Sequence, residues 1–434
     1  MAALPLGRRS RRRHSRLNSA SLGCRPMAHM CVIRQSGIPL DARGTREIEA
    51  LVAAGHDVDV ICLRVPGQPL RERDGRLTIY RVPLERKRRG VLRYLFEYAA
   101  FFAAAAVLVT ALHLRHRYAV VQVNSLPDSL VFAAAVPRLL GAGIVLDLYE
   151  CMPEFFAMKF KLPPRHAFVR LLMLLEQASI RFADAVITST ELMRERFVSR
   201  GAPREKIAIS VNGSDERRFD PRRYPGAPRR PDRFVLICHG SIEEHYGLDT
   251  VLQAIALLKD EMPGLRLVVF GDGTQRTPLQ ALAHELSVAD RVSFSQGWAP
   301  IEALLRAIAD ADAGVLAIKR NDFRDLTHCS RMFDLIVMRR PIIMSRTRAV
   351  EASFGEGCFQ MFESGDAHDL ARAIRELAAD PALAERLVAR AALENEPYRW
   401  SRQEPRYVAV VEGAARGGRV AAMLPVAAEG SEDA

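Results

Sequence analysis

Lys319, Arg320, Arg324 and Arg331 crowd one short stretch of the chain. It lies between an apolar run, Ala313 to Ile318, and the amphipathic segment Ser330-Arg331-Met332-Phe333-Asp334-Leu335. Asn321, Asp322 and Asp325 stand among the cations, and Arg339-Arg340-Pro341 opens the next apolar run. The pattern reads as strand, polar loop, helix, strand. Ligands of an open α/β sheet bind beyond the carboxyl ends of its strands. A helix N-terminus there offers unpaired N–H groups and the positive end of a dipole, which suits a diphosphate. Each guanidinium or ammonium would add a charge-assisted bond of roughly 1.5–3 kcal/mol once desolvated.

Glycines follow other apolar runs. Phe234 to Cys238 leads into His239-Gly240-Ser241, and Leu265 to Phe270 into Gly271-Asp272-Gly273. Gly37 sits in the loop Arg34 to Arg43, after Met30 to Arg34. A glycine at such a place lets a ligand approach the backbone. No dinucleotide fingerprint is present, because Arg276 stands where the third glycine belongs, which argues against a nicotinamide or flavin dehydrogenase. Tyr149 and Glu150 follow the run Ile144 to Leu148 and offer polar groups at a strand end. Trp298 has a ring suited to stacking.

The elements that position these residues alternate. Met30 to Arg34, Val58 to Leu63, Thr78 to Val82, Val120 to Asn124, Ile144 to Leu148 and Ala185 to Ser189 read as strands. Helices are expected from Thr45, as cap, to Ala54, from Asp128 to Leu140 and from His166 to Phe182. A Pro- and Arg-rich stretch, 217–232, reads as a linker, after which the alternation restarts at Phe234. The expected organisation is a basic N-terminal arm (1–26), a first domain (27–216), the linker, a second domain (233–385), a helical segment (386–416) and a tail (417–434). Strands alternating with helices predict α/β domains with doubly wound parallel sheets. Tyr94 to Leu114 is nearly all apolar and almost long enough to span a membrane. It lies between strands of one predicted sheet, so it reads as a buried or membrane-facing helix. The neighbouring Arg86-Lys87-Arg88-Arg89 could hold anionic headgroups.

A net charge of +11 over 434 residues favours an anionic partner. The arginines fall in tails and linkers without interleaved aromatics, which argues against nucleic acid. Seven scattered cysteines form no CxxC pair, so they read as reduced thiols in a cytosolic protein, with no structural zinc site indicated.

The Arg320 to Pro341 segment, Pro153-Glu154-Phe155-Phe156, and the Gly240 and Gly271 turns, in this order and spacing, resemble GT-B glycosyltransferases of family 4. The resemblance runs from about Met30 to Ala415. It implies two Rossmann-like domains facing a central cleft, with the C-terminal helical segment crossing back onto the first. It implies transfer of a sugar, with retention and without metal or cofactor, from a nucleoside diphosphate sugar, UDP- or GDP-linked. The acceptor would be a glycan or lipid-linked. From the scattered thiols and the basic cluster Arg86 to Arg89, the protein is expected to be cytoplasmic, peripheral at the inner face of the membrane, with anionic lipid as a further partner. Lys319 and Arg331 would meet the diphosphate and Asp334 the ribose hydroxyls, Asn321 and Asp322 would also bind the donor, and Gly37, Gly240 and Gly271 would open the backbone to it. Tyr149 and Glu150 would line the sugar and acceptor side. The chain departs from the family at Tyr149-Glu150 (commonly His-Asp), Leu326 (Glu), Arg331 (Lys) and Asp334 (Glu). Those departures leave two alternatives open: an inactive scaffold that partners another transferase, and a nucleotide-sugar epimerase.

Overall fold

The computed structural model describes residues 27–39, 41–84, 91–228, 230–297 and 300–416. The N-terminal arm, Arg86 to Arg89, Trp298 and the tail from 417 lie outside the described residues.

The first half runs β1 (His29–Gly37), α1 (Ala42–Ala53), β2 (Asp57–Leu63), β3 (Arg71–Asp74), β4 (Leu77–Val82) and α2 (Val91–His116). It continues with β5 (Val120–Asn124), α3 (Ala135–Leu139), β6 (Gly143–Leu148), α4 (Met152–Lys159), α5 (Ala167–Phe182), β7 (Ala185–Thr188), α6 (Glu191–Ser199) and β8 (Ile207–Ile209). The second half runs β9 (Phe234–His239), α7 (Leu248–Leu257), β10 (Leu265–Phe270), α8 (Arg276–Glu285), β11 (Val292–Phe294), α9 (Ile301–Asp310) and β12 (Ala313–Leu316). Then come α10 (Ser330–Val337), β13 (Ile342–Ser345), α11 (Arg348–Glu351), β14 (Gln360–Phe362), α12 (Ala367–Ala379), α13 (Pro381–Glu394) and α14 (Trp400–Ala415).

Each half is built on its own sheet, ordered β3-β4-β2-β1-β5-β6-β7-β8 and β11-β10-β9-β12-β13-β14. The second is parallel throughout. In the first, β3 runs antiparallel to β4, unlike the all-parallel sheet read from the sequence. The strand is Arg-Glu-Arg-Asp, with no apolar residue to betray it, and edge strands tolerate such charge because one side faces water. A tight turn at Gly75 (φ +59°) joins the pair.

Successive residues of a strand point to opposite faces, and β1 uses both. Cys31 and Ile33 join a core with Phe101, Ala105 and Val109 of α2 and Ile180 of α5. Met30 and Val32 join a different core with Ile48 and Leu51 of α1 and Trp400, Tyr407 and Val411 of α14. The last described helix therefore lies on the first half, not the second. Its approach is close enough that a Cβ on Gly143 of β6 would overlap the Ala414 carbonyl.

Two helix boundaries differ from expectation. Asp41, not Thr45, caps α1, accepting from the Gly44 N–H at 3.0 Å. Asp128 to Leu140 is a 3-10 turn up to Ala134 followed by the short α3. Pro137, which has no N–H to give, would interrupt a continuous α-helix there. By length and composition alone, α2 could cross a membrane. One side of it is core, while Phe96, Val107 and Leu114 on the other are exposed.

Candidate active site: two arginines around Tyr246

The β9 and β10 turns meet backbone to backbone. Gly240 (φ +100°) donates its N–H to the Phe270 carbonyl at 2.7 Å. A Cβ on Gly271 (φ +142°) would overlap the Gly240 carbonyl, and one on Gly240 would lie 2.5 Å from Arg331 Nε. Gly240 is required because α10 brings Arg331 directly over it, and Gly271 because the Gly240 backbone lies against it.

Arg331 is buried. Its guanidinium carbon lies 3.7 Å from the centroid of the Tyr246 ring, and Nη2 donates to the Ser241 carbonyl at 2.6 Å. Arg324, also buried, lies 4.6 Å from the same centroid. Its Nη1 donates to Thr327 Oγ1 at 3.3 Å, while Nε and Nη2 are buried without a partner. Among the described residues no carboxylate forms an ion pair with either arginine. Burial, then the charges of Arg324 and Arg331, push the His245 imidazole down to about 3, so it is neutral and adds no compensation problem of its own. Two buried cations without a carboxylate partner, one of them with unsatisfied N–H groups, have the chemistry to hold an anion, since a buried charge is costly unless paired.

The other cations of the loop are engaged elsewhere. Lys319 Nζ contacts Asp249 of α7 at 2.6 Å, and Arg320 contacts Asp325 at 3.1 Å. Asn321 turns the loop: its Oδ1 accepts from the N–H groups of Phe323 and Arg324 at 3.1 and 2.9 Å. Asp322 is exposed. Thus Arg324, expected only as one of four nearby cations, holds the place beside Arg331 where Lys319 was expected. The signal was its setting, between Phe323 and Leu326, which both turn inward.

Asp334, one turn beyond Arg331, accepts from Ser214 Oγ at 2.6 Å and lies 3.1 Å from His239 Nε2. Ser214 belongs to the segment leaving β8, so this carboxylate joins the two halves. Phe155 of the Pro153-to-Phe156 motif packs edge-on against Phe323, with centroids 5.4 Å apart. Thr190 Oγ1 donates to the Leu326 carbonyl at 2.7 Å.

In the first half, the Tyr149 ring centroid lies 5.0 Å from the Arg34 guanidinium and 5.9 Å from that of Arg43. Arg43 pairs with Asp147 at 2.7 Å and Glu47 at 2.8 Å, and Asn124 Nδ2 donates to both carboxylates. Burial, then Asp147, pushes Glu47 up to about 7. Gly37 has a packing role: a Cβ there would lie 2.5 Å from Val65 Cγ2.

Glu150 is half-buried and close enough to Asp128 to help push that carboxyl well up, after burial and Glu176. Arg200 bridges Glu154 and Glu176 at 2.5 and 3.0 Å, and burial raises Glu176 to about 7. An unfolded glutamate titrates near about 4.3. The folded protein therefore gains stability from this proton below that pH and loses the gain as pH rises through 7. Glutamine cannot titrate. The stability of Glu176→Gln relative to the native chain should rise by roughly 2 kcal/mol between pH 5 and pH 8. Urea unfolding at the two pH values measures it, and a constant difference would refute the assignment.

Residues 43–213 match the family model described as a glycosyl transferase 4-like domain, and residues 233–380 the one for glycosyl transferases group 1. The chain is 27% identical over 212 residues to the lipopolysaccharide core biosynthesis glycosyltransferase LpsE of Rhizobium meliloti, covering 48% of this chain and 58% of that protein. Coverage of the curated relatives LpsE, WcaL and the Mycobacterium tuberculosis mannosyltransferase runs from about a third to under two thirds of their length. Among solved structures it is similar to sucrose-phosphate synthase from Thermosynechococcus elongatus, with a TM-score of 0.69, 19% identity, and 87% and 97% of the two chains covered. It is also similar to Anabaena HepE in complex with UDP, with a TM-score of 0.64, 14% identity, and 89% and 100% covered.

Proposed function

From a chain that belongs to the GT-B glycosyltransferases, with a 4-like domain ahead of a group 1 domain, we propose a sugar transferase whose donor is a nucleoside diphosphate sugar. The observation that carries this reading is the buried arginine couple, Arg324 and Arg331, held against the Tyr246 ring with no carboxylate partner among the described residues and with Arg324 Nε and Nη2 unsatisfied. A diphosphate brings the negative charge that the pair lacks. When the sugar departs, charge collects on the leaving phosphate, and buried N–H donors already aimed at it stabilise that charge without reorganising. The leaving phosphate can itself take the acceptor's proton, which fits transfer with retention and without metal. Asp334 still has lone pairs to accept ribose hydroxyls beside Ser214 and His239. Tyr149 and Glu150 line the sugar and acceptor side. UDP is favoured by the likeness to HepE in complex with UDP; GDP is the other candidate. Calorimetry with UDP, GDP and ADP tests the site, and failure of all three to bind removes the reading.

A second reading, a scaffold without turnover, is favoured by Leu326. It stands where the family has a glutamate, and it is buried in the core of the first half. Nucleotide binding without donor hydrolysis, or without transfer to any glycan or lipid-linked acceptor, would select it.

The acceptor side points to a membrane. α2, α3 and α5 cover one face of the first sheet, and their outer side exposes Phe96, Val107, Leu114, Leu139 (85%), Leu171 and Leu174 (68%). Arg115, Arg117, Arg165 and Arg170 are exposed around them. Leucines entering the headgroup boundary and arginines near anionic lipid, at about 1 kcal/mol per charge, act together. We therefore place the protein on the inner face of the cytoplasmic membrane, with this helical layer against the lipid. Native protein should float with vesicles containing phosphatidylglycerol, and a Leu139→Asp/Leu174→Asp double variant should stay at the bottom of the gradient. Equal flotation of both would exclude this face.

A further inference from the structure

We propose that His29, Asp59 and His116 form a site for a divalent transition metal of the zinc class, remote from the cleft and separate from sugar transfer. The three side chains come from the first residue of β1, the third residue of β2 and the last residue of α2. Their spacing in the sequence forms no motif, which is why a reading of cysteine and histidine spacing finds no zinc site. In the fold, one ligand atom from each lies within 4.8 Å of the other two.

The geometry suits tetrahedral coordination. His29 Nε2 and Asp59 Oδ2 are 3.2 Å apart. Two ligands bound at about 2.0–2.1 Å in a tetrahedron stand roughly 3.3–3.4 Å apart. The His29 and His116 ring centroids are 4.6 Å apart with planes tilted by 57°, and all three ligand atoms fall within the same 4.8 Å. The carboxylate is already oriented: the Tyr118 hydroxyl donates to Asp59 Oδ2 at 2.6 Å, the outer support that metal-binding carboxylates commonly have. Asp59 is buried, and His29 is a quarter exposed at its side chain, so an ion could enter from solvent and keep a water as its fourth ligand.

The ion would tie the end of α2 to the starts of β1 and β2, at the strand ends opposite those bearing the sugar-transfer residues. Its effect is on stability, through mass action on the folded state.

The test uses the full chain, stripped with EDTA and titrated with Zn2+ by calorimetry and with Co2+ by visible absorption. One ion should bind per chain, and the Tm should rise with Zn2+. Co2+ should show a tetrahedral nitrogen–oxygen spectrum without the charge-transfer band of a thiolate. His116→Ala and Asp59→Asn should each weaken binding at least tenfold while leaving UDP or GDP affinity unchanged. Should Asp59→Asn fail to fold, His116→Ala, at a helix end, decides alone. Binding of equal strength in the variants, a thiolate band, or no saturable binding would each overturn the proposal.

Discussion

Arg331→Ala should reduce affinity for the nucleoside diphosphate by roughly 30-fold or more, and donor turnover with it. Removing one member of a buried, hydrogen-bonded charge pair costs about 2–5 kcal/mol, or roughly 30- to several-thousand-fold. The variant loses more than charge. The Ser241 carbonyl loses its donor, and the Tyr246 ring loses one of its two flanking cations. Arg331→Lys should recover only a minor part, because an ammonium cannot lie flat on a ring and donate sideways at once. Arg324→Ala should reproduce most of the loss, since its Nε and Nη2 are unspent, whereas Lys319→Ala should matter little, because Asp249 already holds that ammonium. Calorimetry on variants whose circular dichroism matches the native chain reads all four. If Lys319→Ala were the damaging change and Arg331→Ala harmless, the site would be wrongly placed.

Trp400→Ala should destabilise the protein by about 3–5 kcal/mol, the range for emptying a buried aromatic site. The ring is buried in the core shared by α1, α14 and the first sheet. The Arg46 guanidinium stacks 4.4 Å from it and reaches on to Asn212 at 3.0 Å and to the Gly213 carbonyl. Burial and Arg43 already hold Arg46 down to about 10, so a lost ring leaves a poorly solvated cation behind. Glu216 anchors the start of the helix, accepting from the N–H groups of Trp400 and Ser401, both at 3.1 Å. In urea the variant should unfold in two steps, the first half before the second. A single transition at the native midpoint would show that α14 contributes little.

The parts of this fold that were legible in the sequence are those buried on both sides. β5, β6 and β9 read as mostly apolar runs, buried along their whole length, because helices cover both faces of a parallel sheet. β3 was hidden by the same logic, since an edge strand of alternating charge carries no apolar signal. The Gly240 and Gly271 turns could be picked out as functional, because glycine after a strand signals close approach. Which cation would occupy the space beside Arg331 could not be read. Lys319 and Arg324 are equivalent as letters, and the choice depends on Asp249, seventy residues earlier, and on the turn that Asn321 imposes. Histidines and an aspartate spread from 29 to 116 are likewise joined only by tertiary structure.

The placement of α14 also orders events during biosynthesis. Everything that the second sheet needs, through α12 and α13, leaves the ribosome before Trp400 does. The first half, although made earlier, waits with one face of its sheet bare until residues 400–415 emerge and cover Met30, Val32 and Val145. Nascent chains halted before Trp400 should therefore hold a protease-resistant second half behind a protease-sensitive first half, the reverse of their order of synthesis.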